Sequence, residues 1–389
     1  MKKLYKIVSI SFAVPLLFFA CIQGEPLNIE ADILECTVPD LPKAVQYGAK
    51  IIKPSKGSNR ISILVFDDYE VGVLSPEFVL TSGATIFPIS GTALDFSNEQ
   101  EQKYIVTSED GQWTKEYIVR VRPPYNVTAD EDGDGKSKSF HFENYQKFDG
   151  KYNFYQFYEE SLSGEKEFIW DSGNLGYALT NSNIPAENYP TFATNKGKNG
   201  SAVRLVTRST GAFGAMAGMP IAAGNLFLGS FEIAQALSAP LQATRFGVPY
   251  RMGEPLELNF WYKFQGGSYK DKNGVAQLDF PSIYAVLFEP EIKNDEIVLL
   301  NGANVRTASN ILSIAELDPA QVIRSNNIET AEFSYASIDF VPHKTIDALK
   351  LANSNYYITI VFASSHRGQL FEGFVGNTLI VDEVKLISK

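Results

Sequence analysis

Between Leu256 and Phe264 the side chains alternate in character. Leu256, Leu258, Phe260, Tyr262 and Phe264 fall in one phase, and Glu257, Asn259, Trp261 and Lys263 fall in the other. Successive side chains of an extended chain point to opposite faces, so the first phase is a core face and the second sets an indole among hydrogen-bonding groups. Carbohydrate recognition needs that mixture, because C–H-rich sugar faces stack on aromatic rings while hydroxyls pair with Asn, Glu and Lys. An exposed strand face covered by a neighbouring loop fits the same pattern. Trp170, in Phe168-Ile-Trp-Asp-Ser-Gly-Asn174, is a second candidate platform, with buried packing as its alternative. His366-Arg367-Gly368 follows a β run in a Ser/Gly-rich loop, where it is either the polar rim of a binding site or a solvated turn.

A different chemistry is raised by the phase Thr378, Ile380, Asp382, Val384, Leu386, in which one carboxylate joins an apolar line. A buried carboxylate must be paired, protonated or metal-bound, since unpaired desolvation is costly. Glu143, in Phe140-His-Phe-Glu-Asn144, is its candidate neighbour, and two hard oxygen donors suit a structural calcium ion. The alternatives are backbone N–H donors to Asp382, or a bulge that turns it outward. No cofactor is required by the sequence. Asp130, Asp132, Asp134 and Gly135 match the first positions of a calcium loop, but His141 stands where a bidentate Glu belongs, so an acidic solvated linker is the better reading.

Hydrolytic chemistry is narrowed by what is missing. The 3 histidines form no His-x-x-x-His pair, and there is neither a Cys cluster nor a Gly-x-Ser-x-Gly elbow, which removes zinc and serine hydrolases. A glycosidase needs only two carboxylates about 5 to 10 Å apart. With 45 acidic residues the sequence names no such pair.

The elements that must position these residues are strands. Of 389 residues 44% are hydrophobic, with 27 Phe and 19 Tyr against 4 Met, and the apolar runs are short and separated by Gly, Pro, Asn and Asp. Strands are predicted at 201–207, 256–264, 282–288, 356–363 and 378–387 within a large domain from 140 to 389, a two-sheet jelly roll with long loops. Only 231–244 reads weakly helical, interrupted by Pro240. Upstream, residues 43–124 carry short strands and a Ser108-Glu-Asp-Gly111 hairpin turn, as in a small sandwich. There Tyr117, Val119 and Val121 share a face, and Trp113 reads as a cross-strand packing residue. Segments 22–42 and 125–139 read as a tether and a linker. The net charge of −11, without a basic stripe, argues against a nucleic-acid partner.

Lys2, Lys3 and Lys6 precede the apolar run Ile7 to Ala20, followed by Cys21, and this start resembles the signal and lipobox of bacterial lipoproteins. The resemblance implies acylation of Cys21, attachment to a membrane through lipid and a site of action in the cell envelope, at the outer membrane. Cys36 is then left as a passive thiol, and no disulfide framework exists.

Two further resemblances carry the functional expectation. Gly91 to Ser97, Tyr104 to Gly111 and Lys115 to Val121 look like the immunoglobulin-like spacer modules of bacterial surface lipoproteins. Phe246-Gly-Val-Pro249, Leu258 to Lys263, Tyr356 to Ser365, Phe371-Glu-Gly373 and Val375 to Val384 are similar to the carbohydrate metabolism (PCMD) domain of Bacteroidetes lipoproteins over residues 140–389. Ala363 and Asn377 stand where Ser is expected in many members. The resemblance implies a jelly roll akin to carbohydrate-binding modules on a glycan-utilisation protein, with an oligosaccharide or polysaccharide as partner. It assigns no catalytic residue. A glycoside hydrolase or lyase acting in the same place, and a structural or adhesive surface subunit, remain as alternatives to a binding protein.

Overall fold

Runs of aromatic and β-branched residues become strands wherever a neighbouring strand satisfies their backbone and a second layer covers one face. The computed structural model describes residues 26–389 except 43–44, 47–51, 53–58, 66–68, 131–132, 149, 162–163 and 295. The proposed signal and Cys21 lie outside the described residues.

In the first domain, Arg60–Leu64 runs parallel to Thr114–Arg122, which pairs antiparallel with Gln102–Thr107 and through it with Thr85–Phe87. Ile33–Thr37 and Glu77–Leu80 form a separate antiparallel pair. Tyr117, Val119 and Val121 point inward together, as their spacing predicts, and pack with Tyr104, Ile61 and Ile63. Cys36 sits in this core at 0% exposure, and burial pushes its thiol up to about 12, so it stays protonated and inert. The hairpin turn is closed by Ser108, whose hydroxyl accepts from Trp113 N–H, with Gly111 at φ +69°. Trp113 itself is 60% exposed instead of packing across strands; it is the last residue of the turn, just before strand Thr114–Arg122.

The large domain is a sandwich of two antiparallel sheets. One has the order Thr191–Thr194, Ala202–Val206, Thr378–Ser388, Pro255–Gln265, Ser334–Asp339, and Ser137–Phe140 also pairs with Thr378–Ser388. The first and last strands of the domain therefore meet. The other sheet runs Trp170–Asp171, Asn225–Phe231, Tyr356–Ala363, Ser282–Phe288, Ile311–Glu316, Val341–Pro342. Between them lie Leu258, Phe260, Tyr262 and Phe264 from one side and Ile283, Leu287, Ile360 and Phe362 from the other. Strands Ser282–Phe288 and Tyr356–Ala363 are buried on both faces, since Tyr284, Val286, Tyr357 and Val361 pack outward under Leu300 and Val305. That is why these two strands read as unbroken apolar runs. The predicted helix at 231–244 is two 3-10 turns, Ile233–Gln235 and Pro240–Gln242, because the proline ring cannot continue a helix begun before it.

Asp130 and Asp134 shape the connection between domains. Asp130 accepts from Ser139 N–H at 2.7 Å and Lys138 Nζ at 3.0 Å, and Asp134 accepts from Lys136 N–H at 2.9 Å. The junction is further tied by Val127, whose N–H donates to Pro249 and whose carbonyl accepts from Arg251. Arg120 and Arg122, at the end of the first domain, reach Glu165 and Glu167 of the second, with Arg122 2.8 Å from Glu167. These are nearly buried ion pairs, Arg122 and Glu167 having side chains only 13% and 10% exposed.

Candidate functional site

The outward face of the Thr191–Asp339 sheet is where the alternation of 257–263 places its polar phase. Leu258, Phe260, Tyr262 and Phe264 are inside, while Glu257, Trp261 and Lys263 are half-buried on the outer face with Asn259. Leu256 departs from the expected core phase and is 39% exposed, because the pairing slips between Pro255 and Glu257.

A second irregularity decides the fate of Asp382. Asn259 faces Lys385 and Trp261 faces Asp382, so two residues, Glu383 and Val384, oppose Phe260 alone. This is a bulge, with Glu383 at φ +48°. Leu379 and Val381 point into the core before it, and Val384 and Leu386 after it. Asp382 therefore leaves the apolar line and stands outward beside Trp261.

It is nonetheless fully buried, because the loop 197–201 closes over it. Its Oδ2 accepts from the backbone N–H of Lys198 at 2.7 Å and Asn199 at 3.0 Å, and Oδ1 from Glu383 at 2.8 Å. Desolvation under the loop outweighs these bonds and pushes the carboxyl up to about 6. Glu143 holds the same loop from the other side, accepting from Ser201 N–H at 2.8 Å. Only glycine fits at 197 and 200: a Cβ would come within 2.8 Å of Asp382 and 2.2 Å of Glu143. The two expected calcium ligands thus each accept from the backbone of one loop. Among the described residues no group of three His, Cys, Asp or Glu is placed to hold a metal ion.

Holding loop 197–201 down positions Lys198, whose ammonium lies 4.1 Å above the Trp261 ring. On the adjacent strand Tyr335 is 5.3 Å from Trp261, centroid to centroid, with the planes at 57° and Tyr335 53% exposed. Glu257 accepts from Ser337 Oγ at 3.2 Å and Asn259 Nδ2 at 3.4 Å, and Lys263 Nζ sits 4.5 Å over Phe333. The Oδ1 atom of Asn259 is buried without a partner. The arrangement is an open sheet face with two rings and flanking polar groups. Cavities of about 330, 380 and 490 Å³ lie elsewhere, and Trp261 lines none of them.

Other predicted residues go to different places. Trp170 is 2% exposed, edge-on to Phe140 at 5.2 Å and Phe142 at 5.3 Å, with Nε1–H donating to Glu159 at 2.9 Å. It is a core residue, because its strand pairs with Asn225–Phe231 and turns the indole toward the opposing sheet. His366 and Arg367 follow Tyr356–Ala363 in that opposing sheet, so they do not rim the Trp261 face. The His366 ring rests 4.4 Å from Phe280, and burial followed by the charges of Arg306 and Arg367 lowers its pKa. Arg367 pairs with Glu372 at 2.7 Å.

Sequence reasoning missed Tyr335, Ser337 and Lys198. The first two were legible, since Ser334–Asp339 alternates with Ile338 inward. Lys198 lies in a loop without periodicity and carried no such signal. Also missed was Asp279, 2% exposed, which accepts from Ser365 Oγ, His366 N–H and Phe374 N–H and pins the loop after Tyr356–Ala363.

Comparison with known proteins agrees with this architecture. Residues 46–121 match the N-terminal domain of a glycan-binding protein, described as "SGBP, N-terminal". A solved structure from Bacteroides thetaiotaomicron, described as a putative glycoside hydrolase, is 38% identical, with a TM-score of 0.69 over 94% of this chain and 99% of its own. A second, from Bacteroides vulgatus and described in the same words, is 35% identical, with a TM-score of 0.57 over 64% of this chain and 98% of its own. No curated protein matches. Residues 141–387, well over half of the chain, match the family described as "Putative carbohydrate metabolism domain", and the chain belongs to that family.

Proposed function

We propose that the protein binds a polysaccharide on the open sheet face of its large domain, with Trp261 and Tyr335 as the stacking surface. One observation carries the reading: two rings of adjacent strands, 5.3 Å apart, stand on a face otherwise furnished with Glu257, Asn259, Ser337 and Lys263. A sugar ring stacks on either member of such a pair while its hydroxyls find donors and acceptors beside it. Lys198 lies over Trp261 on a long flexible stem, so it yields its place to a sugar ring and remains near enough to pair with an acidic one. The family's description and the glycan-binding protein's N-terminal domain support a carbohydrate ligand.

The test is affinity electrophoresis against a panel of neutral and acidic polysaccharides. Substituting both Trp261 and Tyr335 by alanine should weaken retention at least about tenfold, equivalent to about 1.4 kcal/mol, with the melting temperature nearly unchanged. Retention that survives the double substitution would remove the assigned face, and the absence of any retained polysaccharide would remove the function.

A catalytic reading has one observation of its own. Glu257 and Asp339 are directly opposed across the strand pair on the same face, and each of the two similar structures is described as a "putative glycoside hydrolase". Glycosidases use two nearby carboxyls as acid and base or nucleophile. Reducing ends released by the wild type and lost in Asp339→Asn would establish it; inertness of the wild type across the panel would dismiss it. The proposed address follows from Cys21, whose acylation would hold the protein at the outer membrane. Fractionation of Cys21→Ala, expected in the soluble fraction, checks that step.

A further inference from the structure

We infer that the large domain holds a second ligand site, for an apolar monocarboxylate, in a cavity of about 380 Å³ on the outer face of the sheet opposite Trp261. This site does not depend on the polysaccharide reading. Its volume is within the range of small-molecule pockets, roughly 300 to 1,000 Å³.

The floor is Phe227, Tyr284 and Val361, the outward residues of three adjacent strands. Phe231, Phe246 and Leu241 wall it on one side. Room is left because the surrounding loops contribute small residues, among them Ala222, Ala223, Ala236 and Ala243. Two glycines set the walls at their closest approach: a Cβ on Gly176 would lie 3.0 Å from the Phe231 ring, and one on Gly302 would lie 2.9 Å from the Leu241 carbonyl. The larger, apolar part of the lining suits an apolar ligand body. A sugar would leave most of its hydroxyls unpaired here, which separates this site from the Trp261 face.

Arg306 is the single charged residue in the lining. Its guanidinium is 4.2 Å from the Tyr284 ring centroid, one terminal nitrogen donates to Ser282 Oγ, and the other is 3.4 Å from the half-exposed Glu316. Its Nε is buried with no hydrogen-bond partner, and so is Thr244 Oγ1, also in the lining. Two buried polar groups lacking partners in a chamber with a mostly apolar lining call for a partner brought by a ligand. A carboxylate head at Arg306, with an aliphatic or aryl body over Phe227 and Tyr284, brings the acceptor that the buried Nε lacks.

The test uses 1-anilinonaphthalene-8-sulfonate as reporter, displaced by decanoate or by decan-1-ol. The full chain should bind the reporter saturably at one site and release it to both competitors. Arg306→Gln should weaken decanoate at least about tenfold and decanol less than about twofold. Ala303→Trp, at an exposed lining position, should block both. Arg306→Lys provides a milder variant of the headgroup contact in case Arg306→Gln does not fold, and should weaken decanoate more than decanol. Trp261→Ala should leave all of these unchanged, so failure of the polysaccharide reading does not alter the outcome. Unsaturable reporter binding, indifference to Ala303→Trp, or equal effects on acid and alcohol in Arg306→Gln or Arg306→Lys would each overturn the site.

Discussion

Trp170→Ala is expected to destabilise the large domain by about 3–5 kcal/mol, the range for deleting a buried aromatic side chain. The indole is 2% exposed and is gripped edge-on by Phe140 and Phe142, so its removal leaves a void between two sheets that cannot close without breaking their pairing. The loss also strips Glu159 of the indole N–H, its hydrogen-bond donor at 2.9 Å, and burial already pushes that carboxyl up to about 6. Trp170→Phe keeps most of the packing and should lose about 1 kcal/mol, chiefly the hydrogen bond. Urea denaturation measures both. A Trp170→Ala variant within about 1 kcal/mol of wild type would contradict the placement of this residue in the core. Trp261, chemically identical, should behave in the opposite way, losing ligand and keeping stability.

Asp382→Ala carries the second large effect. Three backbone N–H groups would lose their acceptor beneath a closed loop, for a loss of about 3 kcal/mol or more. Lys198 would also be freed from the Trp261 ring, so ligand binding should change together with stability. Asp382→Asn retains one acceptor oxygen and should lose less. The pH dependence has a definite sign. The folded carboxyl is raised to about 6 against about 3.9 when unfolded, so between those values the folded state binds more protons and ionisation of this group lowers stability as pH rises. The stability difference between Asp382→Asn and wild type should therefore move in favour of Asn from about pH 4 to pH 7. Comparing the two proteins cancels Glu159, which slopes the same way, and His366, which slopes the other. A difference that stays flat over this range would mean that Asp382 is not desolvated by the loop.

The strands were readable because their period of two is a direct record of which face is covered. Leu258 to Phe264 and Tyr117 to Val121 needed no other information. Asp382 was misphased because a bulge adds one residue without changing the composition of the strand, and only the partner strand reveals it. The two tryptophans looked equivalent because burial of an aromatic depends on which strand lies opposite, a long-range fact. Gly197 and Gly200 gave no hint that they lie against carboxylates brought from residues 382 and 143. The apolar cavity was invisible for a similar reason: its lining comes from several loops of small residues, each unremarkable in sequence.

The arginines that end the first domain give the molecule a mechanical character. Arg120 and Arg122 grip Glu165 and Glu167 while Val127 adds backbone bonds to Pro249 and Arg251, so the junction is tied at two separate places. Such a joint works as a bracket and not as a swivel. A pull on the leading domain would be transmitted as torque to the far sheet, and a polymer lying across Trp261 and Tyr335 would meet a surface whose heading is set by the domain behind it.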